Sequence, residues 1–311
     1  MRLPNFFVVG TPKAGTTALY HYLAQHPGIY MSPIKEPAFF APDLFQLKNR
    51  LGTVEVKREE LLAYLDGPMI ERRSGVINEW ELYLKLFKKV RHEAAIGEVS
   101  ANYLGSSCAP QAIREAIPEA KIIMILRDPV DRLYSQYSEA AAEGQAGGDF
   151  LAWVEEQQTD EERLQPRLGA VWNGFYARHV HRYREHFPEN QIRIYLYSEY
   201  RRAPLTTLRE IFTFLGVEPD FPADVSRRHN VTLQPRSLAI QNATAPIRRI
   251  LRKTLPAGVR DVLRSRIHRP PRRLTRHERA AILKIYEDDI RELQTLLHRD
   301  FSDWLEETSQ R

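Results

Sequence analysis

The chain has 311 residues, 43% of them apolar and 27% charged, with Lys+Arg 45 against Asp+Glu 40 for a formal charge of +5. That length buries one large core or two small ones, in a composition typical of globular proteins. No apolar run approaches the roughly 20 residues a membrane-spanning helix needs, and the single cysteine, Cys108, excludes an internal disulfide. The opening Met1-Arg2-Leu3-Pro4 leads straight into a strand-like run with no secretory signal. The expectation is a soluble, cytoplasmic protein in which Cys108 is an inert small residue.

Residues 5–9 form a compact apolar run, and Gly10 opens a loop that ends near Thr16. Ala18, Leu19, Tyr22 and Leu23 then recur at helical spacing until Pro27-Gly28 stops them, giving strand, glycine loop, helix. A short strand is expected at Ile29–Met31. A second unit begins with the apolar strand Lys121–Leu126 and turns at Arg127-Asp128-Pro129 into a helix reaching about Gly144, with Asp128 as N-cap and Pro129 at the first helical position. A third strand is expected over residues 191–197, followed by the helix Pro204–Leu215, which Gly216 closes. Near-continuous apolar strands alternating with helices predict an α/β fold, a central parallel sheet covered by helices on both faces. Gly147-Gly148 marks a flexible connection. After about residue 222 strand signals disappear, leaving loop and a long helix over residues 276–298. The expected organisation is one domain over 1–311 with a helical C-terminal extension from about 222.

Three segments carry chemistry. Between the first strand and first helix, the run from Gly10 through Lys13, Ala14, Gly15 and Thr16 to Thr17 can present backbone N–H groups and a helix N-terminus to an anion. The interval from Gly10 to Gly15 equals that of the nucleotide-triphosphate P-loop, but Thr16 follows Gly15 where that loop has lysine. The lysine, Lys13, lies inside the loop and suits a shorter anion chain. At the end of the central strand Arg127 can grip a phosphate bidentately, and Ser135, in the following helix, can add a hydroxyl bond. An ion pair between Arg127 and Asp131 is the alternative, and capping and helix-surface pairing account for Asp128, Asp131 and Arg132. In the third segment, Glu36 stands beside Pro37 and the pair Phe39-Phe40, a partly desolvated setting suited to a general base. Lys35 reads as its neighbour. No His pair stands at metal-ligand spacing with supporting carboxylates, so no metal is expected. His179 and His181 have no assigned role, the Tyr176–Phe187 spacing being that of a core helix.

Two of these segments resemble the motifs of the sulfotransferases that use 3′-phosphoadenosine-5′-phosphosulfate (PAPS). Pro12-Lys13-Ala14-Gly15-Thr16-Thr17 fits the family's 5′-phosphosulfate loop, and the run from Leu126 to Ser135 fits its 3′-phosphate motif. The resemblance implies that Lys13 holds the bridging oxygen and 5′-phosphate, and that Ala14, Gly15, Thr16, Thr17 and Ala18 line the phosphate loop. It also implies that Arg127 and Ser135 grip the 3′-phosphate. Around Glu36 the sequence is similar to the bacterial members and to the heparan sulfate N- and 3-O-sulfotransferases, which implies that Glu36 is the catalytic base and the acceptor a small molecule or carbohydrate. The segment Glu98-Val99-Ser100-Ala101-Asn102-Tyr103 is similar too, but Val99 replaces a lysine of the heparan enzymes, and Glu98 is a second candidate base. Arg227-Arg228-His229-Asn230 and Pro235-Arg236-Ser237 resemble the segment after the last strand. Arg269 stands where relatives have a basic loop closing over the 3′-phosphate and adenine.

Two other functions remain open at this level. A P-loop nucleotide or small-molecule kinase would share the glycine loop, though it lacks the lysine after Gly15. The basic stretch 248–276 would attract anions at long range, but it does not interleave aromatics as single-strand nucleic-acid binders do, so no nucleic-acid partner is expected.

Overall fold

A computed structural model describes residues 2–43, 58–72, 75–146, 149–164, 169–226 and 272–306, with the backbone of 234–235 and 268–269. Five strands, β1 (Phe6–Val8), β2 (Ile29–Met31), β3 (Ala95–Val99), β4 (Lys121–Leu126) and β5 (Ile192–Leu196), form one parallel sheet in the order β2-β3-β1-β4-β5. Strand residues alternate between two cores, as the two-residue period of a strand requires. Phe7, Ile122, Met124 and Leu126 point into one. Phe6, Val8, Ile123 and Ile125 point into the other, against Leu19, Leu23, Leu208 and Phe212. Burial on both faces explains why β4 reads as an unbroken apolar run.

The helices among the described residues are α1 (Thr16–Leu23), α2 (Arg58–Asp66), α3 (Trp80–Lys85), α4 (Ala109–Ala116), α5 (Pro129–Glu143), α6 (Phe150–Leu164), α7 (Tyr176–His186), α8 (Tyr197–Arg202), α9 (Pro204–Leu215), α10 (Arg276–Leu297) and α11 (Ser302–Leu305). None is long and apolar enough to cross a membrane. Helix α10 begins at a reciprocal capping box between Thr275 and Glu278 and packs against α7 and α5.

Leaving β1 the chain moves toward β2, whereas leaving β4 it moves toward β5. The carboxyl ends of these adjacent strands therefore flank a topological switch point, where open α/β sheets bind ligands. Residues 10–17 and 127–135 are the two segments that emerge there.

Two expectations are corrected and one strand is added. Strand β5 ends at Leu196, and Tyr197 already opens α8. Strand β3, inserted between β1 and β2, went unread, because Ala95-Ile96-Gly97-Glu98-Val99 carries a glycine and a carboxylate. Strand structure also persists beyond residue 222, as an antiparallel ribbon of β6 (Gln234–Pro235) and β7 (His268–Arg269); two-residue strands are too short to show a period. Gly147 and Gly148 lie outside the described residues.

Candidate active site

The loop after β1 is tied to β4, with the Thr11 N–H donating to the Ile125 carbonyl at 3.2 Å and the Ala14 N–H closing back onto Thr11 at 3.2 Å. Its backbone turns through the left-handed region at Lys13 (φ 71°) and again at Gly15 (φ 88°). Lysine there is unusual and signals a conformation over-determined by its surroundings. Gly15 has no room for a side chain, since a Cβ would stand 2.9 Å from the Tyr197 ring. Helix α1 starts at once, with no side-chain cap and no acidic residue in its first turn. Its first N–H groups have no intrahelical carbonyl to meet, which gives this end of the helix its affinity for anions.

Arg127 follows the last residue of β4, and its Nη1 donates to the Lys13 carbonyl at 2.8 Å. Its guanidinium lies over the Tyr197 ring at 5.0 Å, so one aromatic side chain backs both the glycine loop and the arginine. The Tyr176 hydroxyl donates to the Arg127 carbonyl at 2.7 Å, fixing the strand end from α7. Ser135 is buried in α5. The Lys13 ammonium, mostly buried, stands 3.2 Å from Oε1 of Glu139, four residues beyond Ser135 on the same helix.

Asp128 caps α5 by accepting from the Asp131 N–H at 3.0 Å. The surface pairing expected of its neighbours is corrected, because this region is interior. Arg132 is fully buried and bonds Gln136 at 2.7 Å and the Ala170 carbonyl. Asp131 pairs not with Arg127 but with Arg279 of α10, at 3.7 Å, and Asp128 meets the same guanidinium at 2.6 Å. Burial, with Asp131 adding to it, raises the Asp128 pKa against the lowering effect of Arg279.

Glu36 also has a positive φ, 63°. Its N–H donates to the Val99 carbonyl at 2.8 Å, while the Ser100 N–H donates to Val8 at 3.1 Å. The acceptor-side loop is thereby stitched to the carboxyl edge that carries the glycine loop. Oε2 of Glu36 accepts from the Ala101 N–H at 2.8 Å, and Oε1 accepts from the buried Lys35 ammonium at 2.5 Å. Lys35 is thus a direct partner of the carboxylate.

Glu98 is fully buried, with neither carboxyl oxygen in a well-formed hydrogen bond. The hydroxyls of Tyr83 and Tyr103 face it, and burial pushes its pKa up to about 8, with the Glu36 charge adding a smaller push. His179 is buried as well; its Nε2 bonds the Trp172 carbonyl at 3.0 Å, and burial drives its pKa down to about 3.

Arg269 lies in β7, whose partner strand β6 packs beside α5, the helix bearing Ser135. Arg227, Arg228, His229, Asn230, Arg236, Ser237 and most of the 248–276 stretch lie outside the described residues. Of that stretch residues 272–276 and the backbone of 268–269 are described; Arg272 pairs with Glu278, and its carbonyl accepts from the Tyr134 hydroxyl of α5 at 2.8 Å. Sequence reasoning missed Glu139, Tyr176, Tyr197 and Arg279. Only Glu139 had a local signal, its i+4 relation to Ser135.

A glycine loop after one central strand of the parallel sheet and an arginine at the end of its neighbour thus meet at one edge, joined by the Arg127–Lys13 hydrogen bond. The chain belongs to the sulfotransferase family, whose model matches residues 4–222. Human bifunctional heparan sulfate N-deacetylase/N-sulfotransferase 3 is 31% identical over 226 residues, which are 71% of this chain and 23% of that protein. The Bos taurus bifunctional heparan sulfate N-deacetylase/N-sulfotransferase 2 is 28% identical over 225 residues, 70% of this chain and 22% of the relative. The chain therefore spans under a quarter of these relatives. A sulfotransferase crystal structure from Alicyclobacillus acidocaldarius matches with a TM-score of 0.69 and 29% identity, covering 98% of this chain and 100% of the other.

Proposed function

We propose that this sulfotransferase takes its sulfuryl group from PAPS and delivers it to a hydroxyl or amine of a carbohydrate or other small acceptor. The observation that carries the reading is the Arg127–Lys13 hydrogen bond, which joins the two anion-binding segments at one edge of the sheet. The residues present fit such a donor. A helix N-terminus without a side-chain cap, a loop held tight at Gly15 by Tyr197, and two cations of different geometry match two separate phosphate-type groups. The carbohydrate part of the proposal draws on the heparan sulfate enzymes among the relatives. Val99, where those enzymes have lysine, argues for a different acceptor within that class.

When bound, PAPS supplies an electrophilic sulfur and a phosphate leaving group. The N–H groups of Gly15, Thr16, Thr17 and Ala18, with Ala14 shaping the loop, receive the 5′-phosphate oxygens. The Lys13 ammonium offsets the charge that builds on the bridging oxygen. Arg127 and Ser135 hold the 3′-phosphate, and Arg269, on the ribbon beside α5, closes over it. Glu36 accepts the proton of the acceptor, oriented by the Ala101 N–H and Lys35. No metal is assigned a part.

Thermal-shift measurements with 3′-phosphoadenosine-5′-phosphate (PAP) test this reading. PAP is expected to raise the melting temperature in EDTA, and ATP with Mg²⁺ to raise it less. Loss of the PAP effect in EDTA, or stronger stabilisation by ATP and Mg²⁺, would overturn it in favour of a kinase.

A further inference from the structure

We propose that Glu139 competes with the sulfuryl donor for the Lys13 ammonium, holding nucleotide affinity down and speeding departure of the desulfated nucleotide. The proposal rests on the reading of Lys13 as a donor-binding cation.

The starting point is the 3.2 Å pair between Lys13 Nζ and Glu139 Oε1, in which Lys13 is 11% exposed and Glu139 44% exposed. The two partners differ in freedom. Lys13 is fixed at its backbone by a left-handed φ and by the Arg127 hydrogen bond to its carbonyl, and its side chain is mostly buried. Glu139 lies one turn before the C-terminus of α5, and its half-exposed carboxylate can turn into water at small cost.

The location makes this carboxylate unusual. At the switch point the first turn of α1, without acidic residues, Lys13 and Arg127 favour anions, and the nearby Asp128 and Asp131 are paired with Arg279. A carboxylate on the same ammonium acts against that field in two ways. It occupies the cation that an incoming phosphate-type oxygen needs, and it repels the oxygen directly. A partly exposed ion pair is weak enough to be displaced by a polyanion carrying several contacts, yet it lowers the net gain from each binding event. Once transfer has occurred, re-formation of the pair favours release of the product. Glu139 thus sets how long the nucleotide stays, a quantity that limits turnover in many enzymes.

Glu139→Gln keeps the length and hydrogen-bonding capacity of the side chain and removes its charge. By calorimetry Glu139→Gln is expected to bind PAP about tenfold more tightly, equivalent to ~1.4 kcal/mol, and by stopped flow to release it more slowly. The gain should be largest at low ionic strength. In a Lys13→Met background the same substitution should gain much less, since the contested cation is gone. Parent-like or weaker PAP binding in Glu139→Gln, beside an impaired Lys13→Met, overturns this proposal alone. An equal gain in both backgrounds also overturns it, since that outcome reflects bulk charge. Parent-like affinity and turnover in Lys13→Met would remove the Lys13 assignment and this proposal with it. Circular dichroism on each variant confirms that the fold is retained.

Discussion

Arg127 and Lys13, 114 positions apart, share a hydrogen bond from guanidinium to main-chain carbonyl at 2.8 Å. One nitrogen of Arg127 thus braces the glycine loop, and its guanidinium lies over the Tyr197 ring at 5.0 Å. Arg127→Ala removes the brace together with the charged contact to PAP that the proposed function gives Arg127. It should weaken PAP binding by about 2–4 kcal/mol in a calorimetric titration. Arg127→Lys should recover only part of this, because an ammonium cannot bond in two directions within one plane. Ser135→Ala should cost less than either. Unchanged PAP affinity in a folded Arg127→Ala variant would falsify this assignment.

Gly15 carries a second prediction. Its φ of 88° and the 2.9 Å approach of the Tyr197 ring to a Cβ there make even alanine a poor fit. The left-handed backbone alone costs about 1–2 kcal/mol for an L residue, and the ring must shift as well. Gly15→Ala should lower the melting temperature and weaken PAP. If strain against Tyr197 is the cause, Tyr197→Ala should partly restore the stability of Gly15→Ala. Equal, additive losses from the two substitutions would mean that they do not interact.

Much of this scaffold was legible because its signals are local. Strand β4 carries five consecutive apolar residues, Ile122 to Leu126, and is followed after Arg127 by a capping Asp-Pro pair, and helix α9 has Pro204 at its start and Gly216 just past its end. The glycine loop and Arg127 could be placed because each directly follows a strand, β1 and β4. What escaped depends on distance in sequence. Asp128 and Arg279 are 151 residues apart, and nothing near either shows that α10 returns to clamp the start of α5. Arg132 reads as a helix-surface charge until α5 is seen packed into the interior. The left-handed backbone of both Lys13 and Glu36 was equally hidden, since neither residue type favours it and only the surrounding hydrogen bonds impose it.

Two buried groups make stability depend on pH in opposite directions. Glu98 keeps its proton in the fold up to about pH 8, whereas its reference value is 4.5. The folded state binds the extra proton in between, so stability falls as pH rises through that window. His179 stays neutral in the fold down to about pH 3 against a reference of 6.5. There the unfolded chain binds the extra proton, and stability falls as pH drops through that window. Between pH 6.5 and 8 the Glu98 slope acts without the His179 one. Urea unfolding should show the parent losing on the order of 1 kcal/mol per pH unit there, and Glu98→Gln should flatten the slope. A parent profile flat across this range, or the same slope in Glu98→Gln, would show that Glu98 is already ionised.

On the roles proposed for them, Lys13 and Glu36 divide the work of transfer, and their variants should fail differently. A cation at the bridging oxygen acts mainly in the transition state, when negative charge develops on the leaving group. Lys13→Ala should therefore lose turnover and some donor affinity. In its proposed role Glu36 takes the proton that the acceptor must lose as the bond to sulfur forms. Its carboxylate is already held by the Ala101 N–H at 2.8 Å and by the Lys35 ammonium at 2.5 Å. Those contacts fix its direction, and Glu36→Gln preserves the shape while abolishing basicity. Turnover should fall by about 10²–10⁴-fold, the usual contribution of a general base, with PAP affinity near the parent's. Lys35→Met should lower turnover less than Glu36→Gln, since it removes an orienting partner and leaves the base. The comparison needs an acceptor, found by screening carbohydrates and phenols with radiolabelled PAPS. Parent-rate turnover by Glu36→Gln from pH 6 to 9 would exclude Glu36 as the base and turn attention to Glu98. Glu98 would have to give up its proton and reach the acceptor from a fully buried position.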